Sequence, residues 1–316
     1  MKKVFHALCI ISFIYLNGFL NGMDLIDLTM DLTDIELTFP IKNDPLERVV
    51  HHVWVASAKG DIDIVLKTIA YKKKYIHREG PNNITPLWMA SQNGHSDIVQ
   101  ALIQAKADVN KTRDDGMCPL SIAVKNGHIE VAKLLLDAQA DINQADDKGY
   151  TPLIVAAIYG HRKILKLLLD APQADILKPI ISGDSVLTLA IEYDQLHIIN
   201  ILINAGADVN HAAENGITPL LMASVNNKIE IVNLLLKNGA IKTINAVYQS
   251  TKSPHKMNSL YAASANGYSE IVLLLLEAGA DIYWKNDTGK TALQIAQNNG
   301  YTEIVQLLKY AKTTAK

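Results

Sequence analysis

Gly289-Lys290-Thr291 has the residue types of a phosphate-binding loop, where glycine amides and a lysine ammonium cradle anionic oxygens. Such a loop needs a second glycine five residues earlier, and Trp284 stands there. His51 and His52 are adjacent and could ligate a metal, but nothing near them supplies further ligands at a workable spacing. His95, His128 and His161 each follow a glycine at a constant interval, which suits a scaffold position better than a proton relay. Cys9 and Cys118 are the only cysteines; once Cys9 is removed with an N-terminal segment, Cys118 has no intramolecular partner and reads as a small buried thiol. Asn83, Asn110 and Asn286 lie in Asn-x-Thr sequons, which matter only in a host that glycosylates secreted proteins. Neither Gly-x-Ser-x-Gly nor His-Glu-x-x-His occurs. These residues therefore predict no catalytic centre, no cofactor and no metal.

The elements that hold them recur. Thr151-Pro152-Leu153, followed by Ala156-Ala157, Gly160-His161 and the run Leu167-Leu168-Leu169, has copies along most of the chain. The marker leucines Leu87, Leu120, Leu153, Leu187, Leu220, Leu260 and Leu293 step by 33, 33, 34, 33, 40 and 33 residues. A period of this size specifies a stack of supersecondary units and overrides the two-domain expectation for 316 residues. With 49% hydrophobic residues the chain can fill such a stack, and its net charge of −2 gives no electrostatic footprint for nucleic acid. Within a unit, Pro152 suits the first turn of a short helix, Gly160 its left-handed end, and the leucines a second helix.

The Thr-Pro-Leu…Ala-Ala core, ending in Gly206-Ala207-Asp208-Val209-Asn210, resembles the ankyrin repeat over roughly residues 50 to 310. The resemblance implies an all-α solenoid of about eight helix-turn-helix repeats with hairpin-like fingers, occupying residues 46–316. Three departures stand out. The histidine usual after Thr-Pro-Leu is replaced by Trp88, Ser121, Ile154, Thr188, Leu221, Tyr261 and Gln294. The repeat near 173–205 has an extra residue at Pro172, Val186 for proline and Asp194 for glycine, and is expected to be a soft joint. The 40-residue step places extra residues in Ile241 to Asn258, a finger with Lys242, Lys252, His255 and Lys256 and no acid.

Before the repeats, Met1-Lys2-Lys3 and the apolar run from Val4 to Leu16 have the form of a secretory signal, so residues 1–22 are expected to be a signal peptide cleaved near Gly22. Retention of the segment as a membrane anchor is the alternative. Residues 23–45 form an acidic segment in which Asp24, Asp27, Asp31, Asp34 and Glu36 alternate with Leu28, Met30, Leu32, Ile35, Leu37 and Phe39, as in a half-buried strand or a solvated linker.

By resemblance, partner contacts flank each finger glycine and precede each helix-ending glycine. Carried onto this sequence they are Asp114, Asp115, Met117, Lys125 and Asn126; Asp147, Lys148, Tyr150, Ile158 and Tyr159; Ile181, Ser182, Asp184, Glu192 and Tyr193; and Glu214, Asn215, Ile217, Val225 and Asn226. Tyr150, Tyr159 and Tyr193 are expected at the centre, with Lys252, His255 and Lys256 as a peripheral contact. These positions carry more acids than bases, which favours a basic protein surface or peptide over nucleic acid. The function implied is a non-enzymatic protein-binding scaffold on the concave side, exported from its cell; with the Met-Lys-Lys start, ankyrin proteins of this kind point to a bacterial effector acting on a host. A membrane-tethered adaptor and a regulatory or inhibitory subunit of an enzyme are the alternatives.

Overall fold

The computed structural model describes residues 53–249 and 256–314. The expected segments 1–22 and 23–45, together with His51, His52, Lys252 and His255, lie outside the described residues. The described chain forms sixteen α-helices in eight pairs and falls into two compact units, residues 53–176 and 177–314.

The first unit holds α1 (53–59), α2 (Ile62–Lys72), α3 (Pro86–Asn93), α4 (Ser96–Gln104), α5 (Pro119–Lys125), α6 (Ile129–Asp137), α7 (Pro152–Ile158) and α8 (Arg162–Leu169). Inner helices α3, α5 and α7 start on the residue pattern that defined the repeat. Thr85 Oγ1 accepts from Trp88 N at 3.1 Å, Cys118 Sγ from Ser121 N at 3.4 Å and Thr151 Oγ1 from Ile154 N at 3.4 Å. These caps satisfy otherwise orphaned amides, and the following proline gives up an N–H that the helix does not use. Inner helices α3, α5 and α7 pack side by side, and outer helices α2, α4, α6 and α8 do the same behind them. Leu87, Leu120 and Leu153 are buried between the inner helices, and Leu102, Leu135 and Leu168 are buried on the outer row.

The helix-ending glycines do more than turn the chain. Gly94 adopts φ +75°, and a Cβ there would stand 2.5 Å from Nδ1 of His128, one repeat later. His128 Nε2 in turn lies 2.9 Å from Gln92 O. His95 makes the same contact with Ala58 O beside Gly60, and His161 with Lys125 O beside Gly127, each at 2.9 Å. The three histidines are therefore rungs that tie each repeat to the one before it.

The second unit holds α9 (Val186–Glu192), α10 (Leu196–Asn204), α11 (Pro219–Val225), α12 (Ile229–Lys237), α13 (Ser259–Asn266), α14 (Ser269–Glu277), α15 (Ala292–Asn299) and α16 (Thr302–Thr314). Val186 starts α9 without proline, and Ser185 Oγ still caps it by accepting from Thr188 N at 3.2 Å. The glycine-histidine contact has changed chemistry here. Asp194 holds the left-handed φ of +58°, and Lys228, at the histidine position of the next repeat, places its ammonium 2.6 Å from the Asp194 carboxylate. In the last pair Tyr301 lies over Gly267, where a Cβ would come 2.7 Å from the ring.

The long step is absorbed in a finger. Residues Tyr248–Gln249 (β1) and Lys256–Met257 (β2) pair antiparallel, Tyr248 opposite Met257, and form the only strands among the described residues.

Candidate protein-binding surface

In the first unit, every finger is a tight turn closed by backbone bonds. Arg113 N donates to Met117 O at 3.0 Å and Gly116 N to Arg113 O at 2.9 Å; Asp146 and Tyr150 repeat the arrangement at 3.2 Å. Neighbouring fingers are tied along their edges, Asp114 N to Asn82 O at 2.9 Å and Asp147 N to Asp115 O at 3.0 Å. Gly116, at φ +81°, is needed for this approach, since a Cβ would stand 2.8 Å from Asp147 N.

Several expected contact residues turn out to build the finger. Asp115 accepts from Met117 N at 3.1 Å and from Arg113 Nε at 3.0 Å. Burial works to raise its carboxyl, but the Arg113 and Met117 hydrogen bonds and the guanidinium charge outweigh it and hold the group below the usual carboxylate range. Met117 is half-buried against the cluster of Ala58, Ile84, Trp88, Met89 and Ile122, and its carbonyl accepts the Trp88 indole N–H at 3.1 Å. Trp88 thus uses the slot that usually holds histidine to reach the next finger, with Arg113 stacked over it at 5.2 Å. Asp146, which the sequence did not single out, accepts from Lys148 N and Tyr150 N, each at 2.9 Å; burial raises its carboxyl. Its place at the start of an Asx turn was the available signal.

Ile158 must be withdrawn as a contact: it is 5% exposed, because an apolar side chain at that inner-helix position is buried where Lys125, one repeat earlier, stays half-exposed. Tyr159 beside it remains 36% exposed. Its ring stacks on His161 at 6.3 Å, and the Lys125 ammonium sits 5.8 Å from its centroid. Asp114, Asp147 and Lys148 are exposed and Tyr150 is half-buried. The acid surplus disappears on this unit. Glu79 pairs with Lys111 at 2.9 Å and Asp115 with Arg113, so two cations that the sequence count omitted bring the signs into balance.

In the second unit, Ala213 N donates to Ile217 O at 2.9 Å and Asn215 Oδ1 accepts from Ile217 N at 3.0 Å, so Asn215 braces its finger as Asp115 does. Glu214 is exposed, Tyr193 is half-buried, and Val225 is 6% exposed and joins the buried cluster with Leu221, Met257 and Tyr261. Asp184 is half-buried and accepts from Ser182 Oγ at 2.6 Å. Burial raises its carboxyl. Glu192 is pushed up to about 6, first by loss of solvation and then by the Asp184 charge. Its side chain as a whole stays exposed, so water damps what this shift does to stability. Lys256 is exposed at the root of the long finger, and its amide donates to Asp287 Oδ1 at 2.9 Å. Ile217, Leu221, Met222, Val225, Tyr248 and Met257 line a small apolar cavity of about 20 Å³ between α11 and the hairpin.

Among the described residues no group of three or more His, Cys, Asp or Glu side chains could hold a metal ion, and no helix is long and apolar enough to cross a membrane. The Cys118 thiol is buried, and burial pushes its pKa up.

Helix pairs tied by fingers and backward-reaching side chains define a stacked-repeat interaction scaffold. A family model described as ankyrin repeats in three copies matches residues 53–146, 106–179, 173–246 and 244–316, and the chain belongs to the ankyrin-repeat family. The ankyrin repeat and KH domain-containing protein mask-1 of Caenorhabditis elegans is 37% identical over 113 residues, covering 36% of this chain and 4% of that relative. The mouse B-cell lymphoma 3 protein homolog is 32% identical over 116 residues, 36% of this chain and 24% of the relative. The matched stretch is thus a small part of these longer relatives. A crystal structure of the ankyrin repeat domain of Bcl-3, described as a unique member of the IkappaB protein family, superposes with a TM-score of 0.62 at 28% identity, covering 72% of this chain and all of that one. Ankyrin stacks are protein-interaction scaffolds, and the fold is typically non-catalytic.

Proposed function

We propose that this chain is an exported, non-catalytic scaffold that captures a protein partner on its finger and inner-helix face, with Tyr159 and Tyr150 at the centre of the first unit's contact. The observation that carries this reading is Tyr159, a large aromatic side chain that stays 36% exposed at the end of an inner helix while Lys125 and His161 hold its ring. A held aromatic ring costs little entropy to bury against a partner. Asp114 and Asp147 stand exposed on the neighbouring fingers and suit basic groups on that partner, and Lys148 frames them. Export rests on the charged start and apolar run of residues 1–22.

The test uses the full chain as bait and compares it with a Tyr150→Ala/Tyr159→Ala variant. Partner affinity should fall at least about tenfold, in line with the roughly 2 kcal/mol of a hot-spot truncation, with the thermal melt nearly unchanged. A sharply lowered melt would make the tyrosines core residues and move the face elsewhere. Intact mass of the protein from its own host should show loss of the segment near Gly22; a full-length cytosolic species refutes export.

A further inference from the structure

Between α11 and the hairpin the second unit is not filled. At the positions of Met222 and Val225 on α11, the next inner helix α13 carries Ala262 and Ala265, which occupy less space. The cavity of about 20 Å³ beside them has apolar walls with no polar atom on its surface. A water there would find no hydrogen-bond partner in the walls, so the space suits a methyl-sized apolar group. Ile217 from one finger and Tyr248 from the next are only half-buried, so the cavity is not sealed from solvent. Met222 and Met257 are flexible thioethers that can shift to admit a larger side chain.

The repeats leading up to this cavity carry one sign of charge. From Pro179 to Asn227 the sequence has five acids and neither lysine nor arginine. Asp194 is paired with Lys228 at 2.6 Å, and Asp208 accepts from Asn210 N at 2.9 Å. That leaves Asp184, Glu192 and Glu214. Glu192 ends α9 as Val225 ends α11, and these two inner helices pack side by side. Its carboxyl has lost solvation and feels the Asp184 charge, so an arriving cation relieves both effects. Packed helices lie about 8–10 Å apart. A polyproline II strand has three residues per turn and advances about 3.1 Å per residue, so residues i and i+3 stand on one side about 9 Å apart. A peptide in that form, laid across the inner helices, sets one side chain at the cavity and another at Glu192.

We propose that the second unit takes an extended peptide of the protein partner, with an aliphatic side chain in the cavity between α11 and the hairpin and a Lys or Arg three residues away beside Glu192. This subsite rests on the reading of the chain as a protein-binding scaffold and adds the chemistry of what is bound. Random peptides displayed on phage and selected on the full chain test it. The selected sequences should share an aliphatic residue three positions from a Lys or Arg. Glu192→Lys and Val225→Lys should each weaken them at least about tenfold in titrations of the free peptides. Lysine is compatible with the Val225 position, since Lys125 ends α5 in the same way, and Glu192 is exposed, so thermal melts should stay near the parent's. A peptide whose Lys or Arg is changed to Glu should bind the Glu192→Lys variant about tenfold better than it binds the parent. Tyr150→Ala/Tyr159→Ala should leave these peptides unaffected. Selected peptides without the pairing, titrations indifferent to both lysine variants, or a selection with no binder overturns the subsite. The scaffold reading is decided separately, by the tyrosine variant against the whole partner.

Discussion

Replacing Gly94 by alanine isolates what the glycine-histidine rung contributes. A left-handed alanine costs about 1–2 kcal/mol on its own, and Gly94 sits at φ +75°. The added Cβ would also stand 2.5 Å from His128 Nδ1, too close for the ring to stay. Moving the ring gives up its 2.9 Å hydrogen bond to Gln92 O, a further loss of about 1 kcal/mol. Gly94→Ala should therefore destabilise by about 2–3 kcal/mol in total. Gly300 offers the comparison: its φ is +80°, and nothing lies within 4 Å of the place an alanine methyl would take. Gly300→Ala should lose only the backbone part. Equilibrium urea unfolding measures both, and a cycle with His128→Ala separates the terms, because the double variant should lose less than the two single variants added together. Equal losses at Gly94 and Gly300, or strict additivity with His128→Ala, would refute the rung.

Where aspartate and lysine replace that rung, restoring it should help: Asp194→Gly alone should change stability by less than about 1 kcal/mol, since relief of left-handed strain offsets a weak exposed ion pair, while Asp194→Gly/Lys228→His should gain about 1 kcal/mol, read by urea unfolding and by slower hydrogen exchange in α9 and α11. Glu192 gives a pH dependence of definite sign. Its pKa is about 6 in the fold against an ordinary 4.5, so the folded chain binds the extra proton and stability falls as pH rises from 4.5 through 6. Glu192→Gln should flatten that part of the stability profile relative to the parent; an unchanged slope would show that the carboxyl is not raised.

The array was legible because its determinants are local. Thr-Pro-Leu encodes a cap and a first turn within three residues, and the glycine encodes the left-handed end, so residues such as Thr85, Pro86 and Gly94 carry their structure with them. What the sequence hid lies between repeats. The Lys111–Glu79 pair spans neighbouring repeats, and the Arg113–Asp115 pair forms only because the finger folds back, so an acid count over contact positions overstated the charge. Asp194 and Lys228 each look like a lapse from the pattern; only their 2.6 Å approach shows that they form one substitution in two places. Ile158 was misread for a related reason. The family pattern marks its position as surface, but the position tolerates both a half-exposed lysine and a buried isoleucine, and the side chain decides. The three sequon asparagines are likewise committed: Asn110 Oδ1 accepts from Asp141 N at 2.8 Å, Asn286 Nδ2 donates to Tyr261 Oη at 3.1 Å, and Asn83 Nδ2 donates to Asp114.

The long finger separates two properties that repeat proteins usually carry together. Its root is that of a short finger: Gln249 N donates to Asn215 O at 2.9 Å, as Asp147 N does to Asp115 O, and a Cβ on Gly216 would stand 2.3 Å from Val247 O. On the return side, Asn258 Oδ1 accepts from Tyr261 N at 2.9 Å and starts α13 as threonine starts its counterparts. Both anchors of the stack are met before and after residues 250–255. Chain can therefore be added or removed between the anchors without shifting the helices. Insertion between these anchors lengthens the finger at small cost to the folding of the stack.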